Sequence, residues 1–274
     1  MIPCEGRQKM PTALIEIDKV SKSFDGGKTQ AVEDASVAVG PGEFIVVVGM
    51  SGAGKTTLLK FINRLVEPDR GDVRVEGTRV ASIDAPTLRR SIGYVFQGIG
   101  LFPHMRVGEN IAVTTQLLGW GPSAIASRIK EMLDLVGLPQ SYAQRFPSAL
   151  SGGEAQRVSV ARALAARPRI VLMDEPFGAL DPVTRDALGS AYRQLHDRLG
   201  LTTMMVTHDV QEALLLADRI VVMSAGRISA QGTPRELMAG AGNSETAALM
   251  AMPKRQAERI ASIMQRKDGG AAHG

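Results

Sequence analysis

Residues 44–56 have the sequence FIVVVGMSGAGKT, and the prediction of the fold starts from them. The first five residues are continuously apolar and mostly β-branched, which is typical of a strand buried on both faces. Glycines then favour a loop, and apolar residues recur at helical spacing through residues 56–65. The stretch therefore predicts a strand, a loop and a helix, in that order.

The loop, GMSGAGKT at residues 49–56, matches the pattern of a phosphate-binding loop. Between a buried strand and a helix start, glycines let backbone amides point at phosphate oxygens, and the helix dipole favours an anion. We expect Lys55 to reach the β- and γ-phosphates of a nucleotide and Thr56 to ligate magnesium. The nucleotide-binding residues predicted in this segment are Gly49, Ser51, Gly52, Ala53, Gly54, Lys55, Thr56 and Thr57.

The rest of the chain extends this core. Residues 170–173, 202–206 and 219–223 are further buried-strand segments with helical stretches between them. This alternation predicts an α/β fold with a mostly parallel sheet covered by helices. Residues 13–20 and 31–39 alternate apolar and polar side chains, which predicts an N-terminal antiparallel edge sheet.

Few strand signals occur from about residue 98 to residue 166, where helices are predicted at 124–136 and 154–166. We interpret this region as a helical subdomain. A short helix is predicted at Pro234–Met238, and another helix could begin at Pro253. We expect that last helix to dock on the domain with a solvated basic face, and the alternative is binding to a membrane surface.

The composition, 44% hydrophobic and 22% charged, is that of a globular chain. The longest apolar runs are far shorter than the roughly 18 to 20 residues that span a bilayer, and the N-terminus lacks a secretory signal pattern. A single cysteine, Cys4, fits a reducing compartment. The net charge of +4 carries little weight because acidic and basic side chains are interspersed, and with 4% aromatic residues no stacking platform for single-stranded nucleic acid is evident. We therefore expect a cytosolic chain with no nucleic-acid partner.

Two carboxylates, Asp174 and Glu175, follow the predicted strand at 170–173. Ligands of open α/β sheets bind at this carboxyl edge. Asp174 is suited to magnesium, and Glu175 is suited to polarising the water that attacks a phosphate. The alternative, a helix N-cap and its neighbour, is disfavoured by the phosphate loop upstream.

A second glycine-containing segment, LSGGEAQR at residues 150–157, could simply be a serine N-cap that opens a helix. Its amides would also be available to a phosphate. Together with the phosphate loop and the acidic pair, the segment resembles the signature motif of ABC ATPases. The other motifs of that family follow in the same order, and the resemblance spans about residues 15–238. They are Phe24, Gln97, Ala179-Leu180-Asp181 and His208.

The resemblance implies a P-loop NTPase core of the ABC ATPase type and gives each motif a role. Phe24 corresponds to the aromatic residue that stacks on adenine, where many relatives have tyrosine. Gln97 corresponds to the Q-loop glutamine, and Asp181 belongs to the D-loop. His208 corresponds to the switch histidine, although alone it would more often be a structural hydrogen bonder. The implied catalytic residues are Glu175, His208, Lys55 and Gln97. The implied metal ligands are Thr56, Gln97 and Asp174. The implied signature residues are Ser151, Gly152, Gly153 and Glu154.

In that family, two ATPase subunits pair head to tail, so the signature segment of one faces the ATP of the other. The resemblance thus implies ATP and Mg²⁺ as cofactors and a second ATPase subunit, identical or paralogous, with a homodimer favoured. It also implies transmembrane permease subunits and, indirectly, an extracytoplasmic solute-binding protein. The expected location is peripheral, at the cytoplasmic face of the inner membrane.

Residues 99–105, 109–112 and 117–120 resemble the ATPases of osmoprotectant importers, which serve glycine betaine, choline, carnitine or proline betaine. The alternatives are an importer for another small organic solute and a non-transport ABC ATPase. A non-transport ABC ATPase is disfavoured, because the sequence has neither a second phosphate loop nor a sustained heptad pattern. We expect an ABC ATPase domain at residues 13–242 and a short helical tail at 243–274. The roughly 30 residues of that tail are too few for a regulatory domain.

Overall fold

The computed structural model describes residues 13–253, 255, 258–259 and 262–263. Cys4 lies outside the described residues. So do several positions of the helix predicted from Pro253, namely Lys254, Ala257, Ile260, Met264 and Arg266. The prediction of a solvated basic face on that helix therefore stays a prediction.

Strands and helices are numbered in chain order. The strands are β1 (Ile15–Ser23), β2 (Gln30–Val39), β3 (Phe44–Val48), β4 (Arg70–Val75), β5 (Thr78–Arg79), β6 (Ile92–Val95), β7 (Ile170–Asp174), β8 (Thr202–Thr207), β9 (Arg219–Ser224) and β10 (Arg227–Gly232). The α-helices are α1 (Lys55–Ile62), α2 (Ala85–Ser91), α3 (Val107–Leu117), α4 (Pro122–Leu135), α5 (Gly152–Leu164), α6 (Pro182–Leu199), α7 (Val210–Leu216), α8 (Pro234–Met238) and α9 (Ser244–Met250). Among the described residues, no helix is both long enough and apolar enough to cross a membrane.

The central sheet has the strand order β10-β9-β3-β8-β7-β6. Its neighbouring strands are parallel from β9 through to β6, and only β10 runs antiparallel, beside β9. The predicted mostly parallel sheet is confirmed. Because β3 has parallel neighbours on both sides, the loop that follows it opens at the carboxyl edge of the sheet.

A second sheet, in the order β2-β1-β4-β5, is antiparallel throughout. Its register pairs Ile15 with Val39 and Ile17 with Val37, and all four side chains are buried. The predicted antiparallel edge sheet is confirmed. The sequence did not predict β4, because alternating charged residues leave few apolar positions along it.

Hydrophobic side chains cover the central sheet on both faces. Along β3, Phe44, Val46 and Val48 belong to one buried cluster, while Ile45 and Val47 belong to the other. Burying each such side chain contributes roughly 1.5–3 kcal/mol, so this short strand is firmly held. A strand fixed in this way gives the phosphate loop a rigid start.

The region predicted as helical, residues 98–166, contains α3, α4 and α5, which pack on one another. The buried Arg128 on α4 donates hydrogen bonds to the carbonyl oxygens of Leu164 (2.7 Å) and Ala165 (2.8 Å). These carbonyls lie at the end of α5, where intrahelical partners run out. One side chain therefore stabilises both the end of α5 and its packing on α4.

The helix predicted at residues 56–65 is shorter than expected, because α1 ends at Ile62. Asn63 leaves the helical conformation, and Arg64 has a positive φ of 53°. At the other end of the chain, α9 contributes two buried residues, Thr246 and Met250, to the domain. Residues 244–250 thus pack against the core.

Candidate active site

The phosphate loop between β3 and α1 passes close to neighbouring backbone. A Cβ atom at Gly49 would lie 2.1 Å from the Met223 carbonyl oxygen, and one at Gly54 would lie 2.2 Å from the Ala31 carbonyl oxygen. Gly54 also has a φ of 94°, in the left-handed region that favours glycine. No other residue fits these two positions without moving the backbone.

The N-terminus of α1 is open to an anion. Its N-cap residue is Gly54, and no side chain caps the first turn. The first amides of a helix have no intrahelical acceptor, and the helix dipole places partial positive charge there. Ser51 and Gly52 are exposed in the loop before it. The loop backbone thus forms a cradle of the kind that fits phosphate.

Lys55 supplies the positive charge of the loop. Its buried ammonium group donates hydrogen bonds to the carbonyl oxygens of Gly49 (2.8 Å) and Met50 (2.9 Å). Burial lowers the pKa of Lys55 below its ordinary value, while the carboxylates of Glu175 and Asp174 act in the opposite direction. The acidic pair and the phosphate loop therefore belong to one electrostatic site.

Thr56 and Asp174 form a direct pair. The Thr56 hydroxyl donates to Asp174 Oδ1 at 2.8 Å, and the Tyr94 hydroxyl donates to Asp174 Oδ2 at 3.5 Å. Burial, and secondarily the charge of Asp174, raises the pKa of Tyr94 above its ordinary value. A hydroxyl and a carboxylate are the hard oxygen donors that Mg²⁺ prefers alongside phosphate and water. Together with the neighbouring cradle, this donor set fits a Mg²⁺-nucleotide.

Glu175 sits between two other predicted residues. Its Oε2 accepts a hydrogen bond from Gln97 Nε2 at 3.1 Å and lies 3.3 Å from His208 Nδ1. Glu175 has a φ of 44°, which is uncommon outside glycine, and its amide is held by the Val206 carbonyl (2.9 Å). Backbone strain of this kind is found preferentially at functional sites. Side chains that follow β6, β7 and β8 thus meet at one carboxylate oxygen.

The signature segment begins α5. Ser151 is the N-cap: its hydroxyl accepts from the Glu154 amide (3.3 Å), and its amide donates to Glu154 Oε2 (2.8 Å). Tyr142 donates to the other oxygen of Glu154 at 2.7 Å. A Cβ atom at Gly153 would lie 2.7 Å from Thr184 Cγ2. Among the described residues, the side-chain hydrogen bonds of Ser151 and Glu154 are to each other and to Tyr142, and none of these bonds reaches the phosphate loop.

Two predicted residues lie at the margins. The Phe24 ring, in the turn after β1, is 64% exposed, and the Lys22 ammonium lies 5.6 Å from its centroid. An exposed aromatic face of this kind can stack on a base. Asp181 is the N-cap of α6 and accepts from the Thr184 amide at 3.0 Å.

Sequence reasoning placed Gln97 at a strand end but did not single out Tyr94, which lies within that strand, β6. The only signal is a phenol inside an apolar run three residues before Gln97. It also missed Arg185, whose guanidinium contacts Asp209 beside His208.

Comparison with known proteins identifies relatives of this chain. A model of the ABC transporter family matches residues 32–178. A choline transport ATP-binding protein of Bacillus subtilis (strain 168) is 47% identical over 225 residues, covering 82% of this chain and 59% of that protein. A glycine betaine uptake system ATP-binding protein of Escherichia coli (strain K12) is 49% identical over 225 residues, covering 82% and 72%.

Among solved structures, a dimeric ATP-binding cassette in a post-hydrolysis state, bound to ADP and Pi, has a TM-score of 0.72 and 31% identity. The match covers 80% of this chain and 98% of that one. This likeness confirms the predicted fold class. The chain spans less than two thirds of the length of the choline relative.

Proposed function

Because this chain belongs to the ABC transporter family, we propose that it is the ATP-binding and ATP-hydrolysing subunit of an importer. The observation that carries the proposal is the meeting of Gln97 and His208 at Glu175, beside the Thr56–Asp174 pair and Lys55. These residues come from distant parts of the chain. Their convergence at one sheet edge is what phosphoryl transfer needs.

Binding of ATP starts at the cradle. The α1 amides and Lys55 hold the phosphates, and the exposed Phe24 stacks on the adenine. Thr56, Gln97 and Asp174 would hold Mg²⁺, which neutralises charge on the phosphate oxygens when bound. Lys55 exchanges its two carbonyl acceptors for phosphate oxygens, a gain in charge complementarity for a buried cation.

Hydrolysis depends on the Glu175 carboxylate. Glu175 accepts a hydrogen bond from a water molecule and aligns the water oxygen with the γ-phosphorus. The new P–O bond forms as the bond between the γ-phosphorus and the β–γ bridging oxygen breaks, and the water proton passes to Glu175, giving ADP and inorganic phosphate. Gln97 and His208 hold the carboxylate in place, and His208, being exposed, can also reach the γ-phosphate.

The partners follow from the incomplete site. Ser151 and Gly153 are directed to the nucleotide of a second subunit, so two subunits close around ATP head to tail. Gln97 lines a cavity of about 470 Å³ that also includes the exposed rings of Phe96 and Phe102. We assign this surface to permease subunits, with an extracytoplasmic solute-binding protein acting on their far side. The subunit is then peripheral, at the cytoplasmic face of the membrane, and has no nucleic-acid partner.

The transported solute is an osmoprotectant such as glycine betaine or choline. The names of the two relatives, at 47% and 49% identity, support this branch. The resemblance of the segments after Gln97 agrees with it. Another small organic solute is the alternative.

A phosphate-release assay on the purified chain with MgATP tests the catalytic assignment. Glu175→Gln should bind ATP and lose at least about 100-fold in kcat, because an amide cannot act as the base. Lys55→Ala should lose nucleotide binding. The isosteric control Asp18→Asn, on the exposed face of β1, should keep the wild-type rate. Normal turnover by Glu175→Gln would contradict the assignment.

Uptake of labelled glycine betaine and choline at high osmolarity tests the solute. The cells carry the permease and either the wild-type chain or Lys55→Ala, and they lack other uptake systems for these solutes. Uptake should require the wild-type chain. Equal uptake with both would exclude these two solutes and leave the ATPase proposal to the first assay.

A further inference from the structure

Arg185, in the first turn of α6, contacts two separate loops. Its Nη1 donates to Asp209 Oδ2 at 3.1 Å, and its Nη2 donates to the carbonyl oxygens of Leu180 (3.1 Å) and Gly178 (3.5 Å). The motif residues considered above do not include it. A planar guanidinium can bridge several acceptors at fixed angles, which an ammonium group cannot do.

The first loop runs from Glu175 to α6. The Gly178 amide donates to the Glu175 carbonyl at 3.3 Å, and the Leu180 amide donates to the Phe177 carbonyl at 3.1 Å. Consecutive turns therefore connect the backbone of Glu175 to the two carbonyls that Arg185 holds. A shift of these carbonyls would therefore move the backbone of Glu175, which has a positive φ of 44°.

The second loop carries His208. Asp209 follows it directly and caps α7, with Oδ1 accepting from the amides of Gln211 (2.8 Å) and Glu212 (3.3 Å). The Asp209 amide donates to Thr207 Oγ1 at 3.1 Å. Since Oδ2 of the same carboxylate accepts from Arg185, both oxygens of Asp209 are fixed. The backbone at His208 is fixed with them.

A buried carboxylate completes the network. Glu212 is 8% exposed and accepts a hydrogen bond from the Thr207 hydroxyl at 2.7 Å. Its Oε1 lies 3.7 Å from Arg185 Nε, close enough for an ion pair but too far for a hydrogen bond. Within the described part of the chain, Arg185 Nε is a buried donor without a hydrogen-bond acceptor. A movement of less than about 1 Å between α6 and α7 would complete this bond.

We propose that Arg185 is a positioning residue for ATP hydrolysis: it holds the loop after Glu175 and the loop of His208 in a fixed relative position. The inference rests on the proposed function. Arg185 acts through the Glu175–His208 contact of 3.3 Å. A displacement of about 1 Å at such a contact is enough to slow a reaction by about 100-fold.

The test compares Arg185→Met and Arg185→Lys with a matched control. Arg193→Met removes a guanidinium from the same helix, where it pairs with Asp197 (3.0 Å) and Asp218 (2.8 Å). Arg185→Met should lower kcat for MgATP by about tenfold or more, with KM and binding of a fluorescent ATP analogue changed by less than about threefold. Arg185→Lys should recover only part of the loss. Arg193→Met should lower the melting temperature while keeping kcat within about twofold.

Non-additivity separates positioning from a general structural role. In a His208→Ala background, Arg185→Met should cost less than about twofold further, because both changes disrupt one contact. Full additivity, or a wild-type kcat for Arg185→Met, would overturn the inference. Arg185→Met leaves the buried carboxylate of Glu212 without its ion-pair partner. If that variant does not fold, the double variant Arg185→Met/Glu212→Gln, which removes this carboxylate, takes the place of Arg185→Met in each comparison. ATP hydrolysis by the wild-type chain, abolished by Glu175→Gln, shows separately that the proposed function holds.

Discussion

At the scale of single residues, the phosphate site depends on backbone that ordinary side chains would not allow. Gly49 and Gly54 stand where a Cβ atom would collide with a neighbouring carbonyl. Glu175 adopts a φ of 44° although it has a side chain. Such a conformation costs of order 1–3 kcal/mol, and here the end of β7 and the hydrogen bond from the Glu175 amide to the Val206 carbonyl hold it in place. The carboxylate is thereby aimed at Gln97 and His208.

His196 gives a residue-scale prediction about acid stability. Its Nε2 lies 3.2 Å from the Gly42 carbonyl and its Nδ1 2.9 Å from the Thr203 hydroxyl, which also contacts the Tyr192 hydroxyl at 2.9 Å. A neutral ring, donating from Nε2 and accepting at Nδ1, satisfies all of these hydrogen bonds. Burial lowers the pKa of His196 below its ordinary value.

The folded state therefore resists a proton that the unfolded state accepts below about pH 6.5. The stability that neutral His196 contributes is fully present above that pH and is lost as the pH falls toward its lowered folded pKa. Urea unfolding between pH 7.5 and pH 5 should show this loss. His196→Gln should reduce the slope of the unfolding free energy against pH. Tyr192→Phe, which removes only one hydroxyl, should cost about 1 kcal/mol at every pH and keep the slope. An unchanged slope in His196→Gln would contradict the assignment.

At the scale of elements, prediction from sequence succeeded where a pattern is strong and local. The bounds of β3 and α8 were predicted as observed, and β7 and β8 each continue one residue further. For β6 the sequence placed only Gln97 at a strand end and gave no bounds, because the strand is short and contains Gly93, where a Cβ atom would lie 2.6 Å from the Ala163 carbonyl. That glycine is explained only by the approach of α5, which is 70 residues away in sequence. Tertiary packing of this kind has no local signal.

The end of α5 gives an element-scale prediction. Arg128→Met keeps an apolar stem in place but removes both donors to the carbonyls of Leu164 and Ala165. We expect a loss of about 2 kcal/mol in the free energy of unfolding, measured by urea denaturation. Arg157→Met, which removes a half-buried donor to the single carbonyl of Val136, should cost less. Equal losses would mean that the two hydrogen bonds from Arg128 have no special role.

At the scale of the whole molecule, the site joins residues that sequence separation alone cannot connect. Motif resemblance predicted Gln97, Glu175 and His208, but their meeting at one oxygen follows from strand order, which places β8 and β6 on either side of β7. Arg185 could not be predicted, because its partners lie in two loops that approach each other only after α6 and α7 pack. The roles proposed for Ser151 and Gly153 need a second subunit; in this chain the described hydrogen bonds of the Ser151 hydroxyl and amide are to Glu154, and Gly153 lies against Thr184 of α6.

That assembly can be tested at Ser151, where the local role and the role between subunits call for different chemistry. Aspartate caps a helix as well as serine does, so Ser151→Asp should keep α5 and the melting temperature, whereas Ser151→Ala should cost about 1 kcal/mol. Against the phosphate of a partner's ATP, however, a second negative charge repels. In a Glu175→Gln background, ATP should drive the parent chain to a dimer in sedimentation velocity, while Ser151→Asp should stay monomeric although it binds ATP. Ser151→Ala should dimerise more weakly than the parent. If Ser151→Asp formed an ATP-driven dimer with the affinity of the parent chain, the start of α5 would not face a partner's nucleotide.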